Sequence, residues 1–268
     1  LDGLAVAPYV TPMHVLAFHK LTRRLTFGST NYRPDRFRRL LVSLLTDGYT
    51  FVPLDGAGER RTTGERELAI TFDDGYGHLV DALPGLMEEF GFRPTVFVPT
   101  GYLGRPNAWD YSFVFRAEPH LTAGDIRALS ACGVAFGSHG HTHTDLTRLS
   151  DSTLIEQLRV SRAILEDLTG YPVTALSYPF GRVDSRVSEY ARAAGYCCGY
   201  TLRFPSLADT LFTAGRYGVW CFDTPGSVRR KLRPGPLQSF ERLKARVTHA
   251  LSAGTRLTHR RVRGTARS

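Results

Sequence analysis

Residues 67–78, ELAITFDDGYGH, constrain this chain more than any other stretch. Leu68, Ala69, Ile70 and Phe72 make an apolar run of strand length, and Asp73 and Asp74 follow it directly, ahead of Gly75. An apolar run closed by a turn signal reads as a buried strand, so two carboxylates arrive side by side at its end. Neighbouring carboxylates repel, and their burial is costly unless a cation or hydrogen-bond donors compensate. The pair therefore asks for a metal ion or an arginine from elsewhere in the chain.

The flanking sequence alternates strands with helices. Val15 to Phe18 is a short strand ending at His19, and Pro34 opens a helix with Phe37, Leu40, Leu41 and Leu44 at helical spacing. A helix over residues 78–90, closed by Gly91, leads to the strand PTVFVPT; Thr122 and Asp125 form a capping box ahead of VAFGS, which runs into SHGHTH. An amphipathic helix begins at Ser150 with Leu154, Leu158, Leu165 and Leu168 on one face. VTALSYPFG, a helix over 184–194, GYCCGYTL and RYGVWCF, which starts at Arg216, complete the series. Such alternation predicts an α/β fold with a parallel sheet, helices outside, closed or nearly closed into a barrel, with its site at the carboxyl ends of the strands. His19, Asp73 with Asp74, His139 with His143, and Pro179 with Phe180 all fall at those ends.

Length and an apolar fraction of 42% suffice for a folded core. The formal charge of +9 favours an anionic partner, and it is concentrated from Arg229 onward, where Glu241 is the only acid. The expected division is a barrel over 1–225 and a basic, partly helical tail over 226–268. In that tail Leu237, Phe240, Leu243 and Val247 share one helical face, which suits either an anionic membrane surface or docking back on the barrel. No nucleic-acid partner is expected. Cys132, Cys197, Cys198 and Cys221 lack metal or disulfide-framework spacing and read as buried thiols. Residues 101–119 read as a loop over the site whose Trp109, Tyr111, Phe113 and Phe115 either stack on sugar rings or form a satellite apolar cluster. No run is long enough to span a membrane, and the opening residues lack signal-peptide character, which points to the cytoplasm or the inner face of the membrane.

His139 and His143, four apart, would share a face if the segment were a helical turn, and Asp74 would supply a third ligand. Such a set leaves positions open for water and substrate; a surface histidine pair near a capping carboxylate is the plainer alternative. TFDDGY, then GSHGHTHTDL, then SYPFG, in that order, resemble the polysaccharide deacetylases, the NodB-like carbohydrate esterases of family 4, over residues 15–222. The resemblance implies a distorted (β/α) barrel and metal-dependent removal of acetyl groups from an N-acetylated or O-acetylated sugar. It implies Asp73 as general base, and Asp74, His139 and His143 as ligands of a divalent metal, usually zinc, with water on the metal attacking the acetyl carbonyl. The oxyanion would meet a backbone N–H of the turn at Pro179, Phe180 and Gly181, with Tyr178 or Phe180 lining the acetyl pocket. His141 is expected to face away from the metal.

The chain departs from the family twice. Where many members carry an arginine that orients the base, Ser177 stands, and Arg216 is the expected substitute. The usual C-terminal Leu-x-His acid is missing, whereas His19 in LAFHK resembles the early histidine of poly-N-acetylglucosamine deacetylases, which makes it the expected acid for the leaving amine. Competing readings are a metal-dependent hydrolase acting on another amide and a carbohydrate-binding barrel without catalysis.

Overall fold

The computed structural model describes residues 13–24, 28–54, 66–109 and 117–252. In chain order the elements are β1 (His14–Phe18), β2 (Lys20–Leu21), β3 (Asn31–Tyr32), α1 (Pro34–Thr46), β4 (Thr50–Phe51), β5 (Glu67–Phe72), α2 (Leu79–Phe90), β6 (Thr95–Val98), α3 (Ala123–Ala131), β7 (Ala135–Ser138), α4 (Asp151–Thr169), β8 (Ala175–Ser177), α5 (Ser185–Ala193), β9 (Cys198–Tyr200), β10 (Tyr217–Gly218), α6 (Pro225–Leu232) and α7 (Pro236–Ser252). Tyr111, Phe113, Phe115 and the tail beyond residue 252 lie outside the described residues.

The main sheet runs β10-β1-β5-β6-β7-β8-β9, with β4 beside the start of β5, and every pair is parallel. Between β9 and β10 the ring is bridged by the segment leading into β10. Ala214 N–H donates to Gly199 O at 3.0 Å and Thr201 N–H to Ala214 O at 2.8 Å, while Tyr217 and Gly218 pair with Leu16 and Ala17 of β1. One short stretch thus touches both sides of the gap, and the barrel predicted from the sequence is present.

Side chains alternate across a strand, and this separates two apolar layers. Val15, Ala69, Phe97, Ala175, Cys198 and Tyr200 form the inner one. The outer cluster holds Leu16, Phe18, Ile70, Phe72, Val96, Val98 and Leu176, packed with buried helix residues such as Phe37, Leu40, Leu83 and Leu158. Helix ends follow the sequence signals. Thr122 and Asp125 make the reciprocal capping box of α3, Ser150 accepts from Thr153 N–H at the start of α4, and Gly170 closes α4 at φ 73°.

One expectation needs correction. The cysteines are free thiols, but Cys132 and Cys197 are exposed and only Cys198 is buried. The run at 195–202 yields a strand of just three residues, so Cys197 precedes it and faces solvent. At the C-terminus, α6 sends Val228 and Leu232 into the main core, and α7 packs on α6 by its polar face. Glu241 is fully buried there, accepting from Arg230 Nε and Nη2 at 3.0 and 2.7 Å, while Lys244 Nζ lies 2.6 Å from its second oxygen. Asp223 is buried in the same seam, bonded to Lys231 and, at 2.8 Å, to Lys244. The Leu237, Phe240, Leu243 and Val247 stripe consequently points outward, each residue more than half exposed.

Candidate metal centre and active site

The inward positions of the strands, extended one residue pair past their ends, place His19, Asp73 and His139 in one layer at the carboxyl end of the barrel. The sequence signals converge here because parallel strands share one polarity. Asp74 and His143 complete a cluster in which one ligand atom from each of Asp74, His139 and His143 lies within 4.8 Å of the others. Asp74 Oδ1 is 3.5 Å from His139 Nε2 and 3.2 Å from His143 Nε2. His139 Nδ1 is 2.7 Å from the Ser177 carbonyl, which can only accept, so Nδ1 carries a proton and Nε2 is the nitrogen turned to the cluster. Asp74 Oδ1 itself is buried without a hydrogen bond. A buried carboxylate oxygen facing two imidazole nitrogens is a set of donors that could hold a cation.

The electrostatics agree. Burial raises the Asp74 carboxyl, but His139 and His143 outweigh it and hold the group well below the usual carboxylate range. Burial lowers His139, yet the Asp74 and Asp73 carboxylates draw it above its ordinary value, a sign that this point attracts positive charge. The segment carrying both histidines is not the helical turn expected: residues 139–143 form a loop in which Gly140 takes φ 73° and His143 φ 50°. Asp74, at φ 68°, and Phe180, at φ 60°, are the other non-glycine residues with positive φ among the described residues. That conformation is uncommon for L-residues. All three occurrences surround this site, where backbone strain is typically retained for function.

Asp73 faces a different partner. Arg216 donates to its two oxygens at 2.9 and 2.7 Å, and also to Thr71 Oγ1 at 3.0 Å and Ser177 Oγ at 2.8 Å. Burial raises Asp73, but the Arg216 guanidinium, His139 and His19 bring it below the ordinary value. The buried guanidinium lies 5.2 Å over the inward-facing Phe97 ring. Ser177, standing where an arginine was expected, is small and polar enough to accept from this arginine arriving from across the barrel.

His19 is half-buried, stacks on Trp220 with ring centroids 6.0 Å apart, and keeps Nδ1 buried without a partner. Phe180 lies beside His143, ring centroids 4.7 Å apart. Pro179 has no N–H and that of Gly181 donates to Tyr178 O, so neither serves an oxyanion and Phe180 carries that expectation alone. Tyr178 does not line the site. Ser177 points inward, so its neighbour points out, and the Tyr178 hydroxyl donates to Phe212 O at 2.8 Å on the outer face. His141 pairs with Thr100 Oγ1 at 2.9 Å, away from the cluster. Trp109, expected on a loop over the site, lies there, and sequence reasoning missed its neighbour His120. Trp109 stacks on His143 at 4.0 Å and 17°, and His120, buried, places Nδ1 2.7 Å from Asp74 O. Both reach the site through an antiparallel bridge between Tyr76 and His120 that no local periodicity announces.

A family model described as polysaccharide deacetylase matches residues 60–199. The chain is 26% identical over 192 residues to YxkH of Bacillus subtilis, a protein named for the same family, covering 70% of this chain and 63% of that one. It is 27% identical over 124 residues to the peptidoglycan-N-acetylglucosamine deacetylase PgdA of Listeria monocytogenes, covering 46% of this chain and 23% of that one. The chain therefore spans less than two thirds of the length of these curated relatives. In fold it is similar to the Streptococcus pyogenes deacetylase PplD, with a TM-score of 0.72 at 19% identity, covering 83% of this chain and 98% of that one. The shared barrel, the match over more than half of the sequence and the motifs gathered at one end of the strands lead to one assignment: this chain belongs to the polysaccharide deacetylase family.

Proposed function

We propose that this protein removes acetyl groups from an N-acetylated sugar or polysaccharide, with a divalent metal ion held by Asp74, His139 and His143. The convergence of two imidazole nitrogens on the buried Asp74 carboxylate oxygen, which receives no hydrogen bond, carries the reading. Zinc is the expected ion, since two imidazoles and one carboxylate are a donor set that catalytic zinc takes. Such an ion supplies a Lewis acid that brings the pKa of water to about 7 and polarises a carbonyl oxygen.

The chain's own residues supply the rest. Asp73, kept ionised and fixed in orientation by Arg216, accepts the proton of the attacking water. As the carbon–nitrogen bond breaks, His19 gives a proton to the departing amine, turned toward the site by its stacking on Trp220. Phe180 lies against His143 where the acetyl methyl would be enclosed. The N-acetylglucosamine in the name of PgdA supports an amide-linked acetyl group. The test is acetate release from N-acetylglucosamine oligomers by zinc-loaded protein. Release should vanish in Asp73→Asn and fall by about 10²–10⁴-fold in His19→Ala, the usual worth of a general acid. Stoichiometric metal binding without acetate release would redirect the assignment to another amide, and no metal binding at all would favour a non-catalytic barrel.

A second observation bears on partners. Because α7 docks by its charged face, its four large apolar side chains project outward, with exposed Arg242 and Arg246 on the same helix. Apolar residues beside arginines suit an anionic lipid surface, approached from one side since no described helix is long and apolar enough to cross a membrane. Co-sedimentation with anionic vesicles should fall in a Phe240→Ser, Leu243→Ser variant. Binding equal to the parent, or equally strong on neutral vesicles, would end this reading.

A further inference from the structure

Asp74 is the least comfortable of the three proposed ligands. It is buried, sits at φ 68°, and must aim one oxygen at the histidines. A positive φ costs an L-residue roughly 1–2 kcal/mol, so the neighbourhood must hold it there. The atom that does so is His120 Nδ1, 2.7 Å from the Asp74 carbonyl. A carbonyl only accepts, so Nδ1 carries the proton, and Nε2 faces the Asn107 amide at 3.5 Å.

The histidine is itself fixed on both faces. Tyr76 stacks on it at 5.2 Å and 19°, and Trp109 covers it at 5.0 Å and 35°. Asn107 ties the same parts together, donating to the Tyr76 hydroxyl at 3.1 Å and accepting from Trp109 N–H at 3.0 Å. The backbone on either side of His120 is pinned against the turn after Asp74: Leu121 N–H donates to Gly75 O and Gly77 N–H to Pro119 O, both at 2.8 Å. Trp109 in turn stacks on His143 at 4.0 Å. One cluster therefore bears on two of the three ligands, by a hydrogen bond on Asp74 and a ring on His143.

We infer that His120 is a positioning residue for the metal centre, which holds Asp74 in its left-handed conformation through the Asp74 carbonyl and backs the Trp109 ring lying on His143. The inference rests on the reading of Asp74, His139 and His143 as metal ligands. A buried histidine that merely fills space would act through its ring alone, and two substitutions separate the cases. His120→Phe keeps an aromatic ring between Tyr76 and Trp109 and loses the donor. His120→Asn loses the ring and keeps an N–H donor where Nδ1 stood.

The experiment measures zinc affinity by chelator competition and the visible absorption of the cobalt-loaded protein, with the melting temperature of each metal-free variant alongside. His120→Phe should weaken zinc binding by about 10–100-fold, as expected for loss of a group that orients a ligand, and should change the cobalt spectrum. His120→Asn should stay closer to the parent in both. Parental affinity and spectrum in His120→Phe, or an equal loss in His120→Asn, would overturn the inference. If the Phe variant does not fold, His120→Leu takes its place as the donor-free arm. A parent protein that binds no zinc would instead remove the metal reading, a failure visible before any variant is made.

Discussion

Two buried clusters of charge, one at the mouth of the barrel and one beneath α7, use the same residue types to opposite ends. Under α7 every carboxylate oxygen of Asp223 and Glu241 has a basic nitrogen beside it, drawn from Arg230, Lys231 and Lys244. At the mouth, Arg216 satisfies Asp73 completely and leaves its neighbour Asp74 with an oxygen that meets only imidazole nitrogens. A complete set of ion pairs is a fastening. A set that offers only imidazole nitrogens, held by a strained backbone, is the arrangement on which the proposed metal reading rests. What distinguishes site from scaffold here is the remainder after pairing, since burial and charge are common to both.

The comparison can be broken most sharply at Asp74. Asp74→Asn should eliminate metal binding and lower acetate release by 10³-fold or more, about 4 kcal/mol of transition-state stabilisation, with the metal-free protein still folded; retention of stoichiometric zinc would show that the open oxygen is not a ligand. Next in size is Arg216→Met, which strands the buried Asp73 charge and should cost about 3–5 kcal/mol in denaturant unfolding. Asp73→Asn in the same background should recover part of that loss, and no recovery would mean that the guanidinium acts by filling the barrel.

The fastening under α7 should respond to acid. Burial raises Asp223, but Lys231 and Lys244 outweigh it, leaving the folded value below the unfolded one. The group then contributes stability above the unfolded value, about 3.9, which is lost as pH falls through the folded value. Release of α7, followed by limited proteolysis after residue 233, should therefore begin below about pH 4 and not between pH 5 and 8. The smallest effect belongs to the outward stripe. Phe240→Ser should change unfolding free energy by no more than about 0.5 kcal/mol, because the side chain is already exposed. A larger loss would mean that the stripe is covered.

The sequence was most legible where a period could be counted. Strand alternation and shared polarity were enough to bring His19, Asp73 and His139 to one layer, and the amphipathic patterns of α1 and α4 located the outer core. His143 was found for an incomplete reason: the spacing suggested a helical turn, whereas a loop with two left-handed residues delivers the ring. Tyr178 was misplaced by one step of alternation, which turns a side chain to the opposite face. In α7 the helical face was legible but its direction was not. Apolar residues alone would bury Leu237 and Phe240; Asp223 and Arg230, from outside the helix, draw Lys244 and the buried Glu241 to the inner face instead. His120 and Trp109 depend on a bridge between chain segments more than forty residues apart, visible only once the chain has folded.

The short stretch that bridges β9 to β1 also carries Arg216, and this sets an order of events during synthesis. Asp73 emerges 143 residues before the arginine that clamps it. Domains assemble as the chain is made, N-terminal parts first. Until that late stretch inserts beside β1, the barrel lacks its seam and Asp73 its counter-ion. Closure of the barrel and neutralisation of the buried Asp73 carboxylate are therefore a single event, completed only once that late stretch has been made.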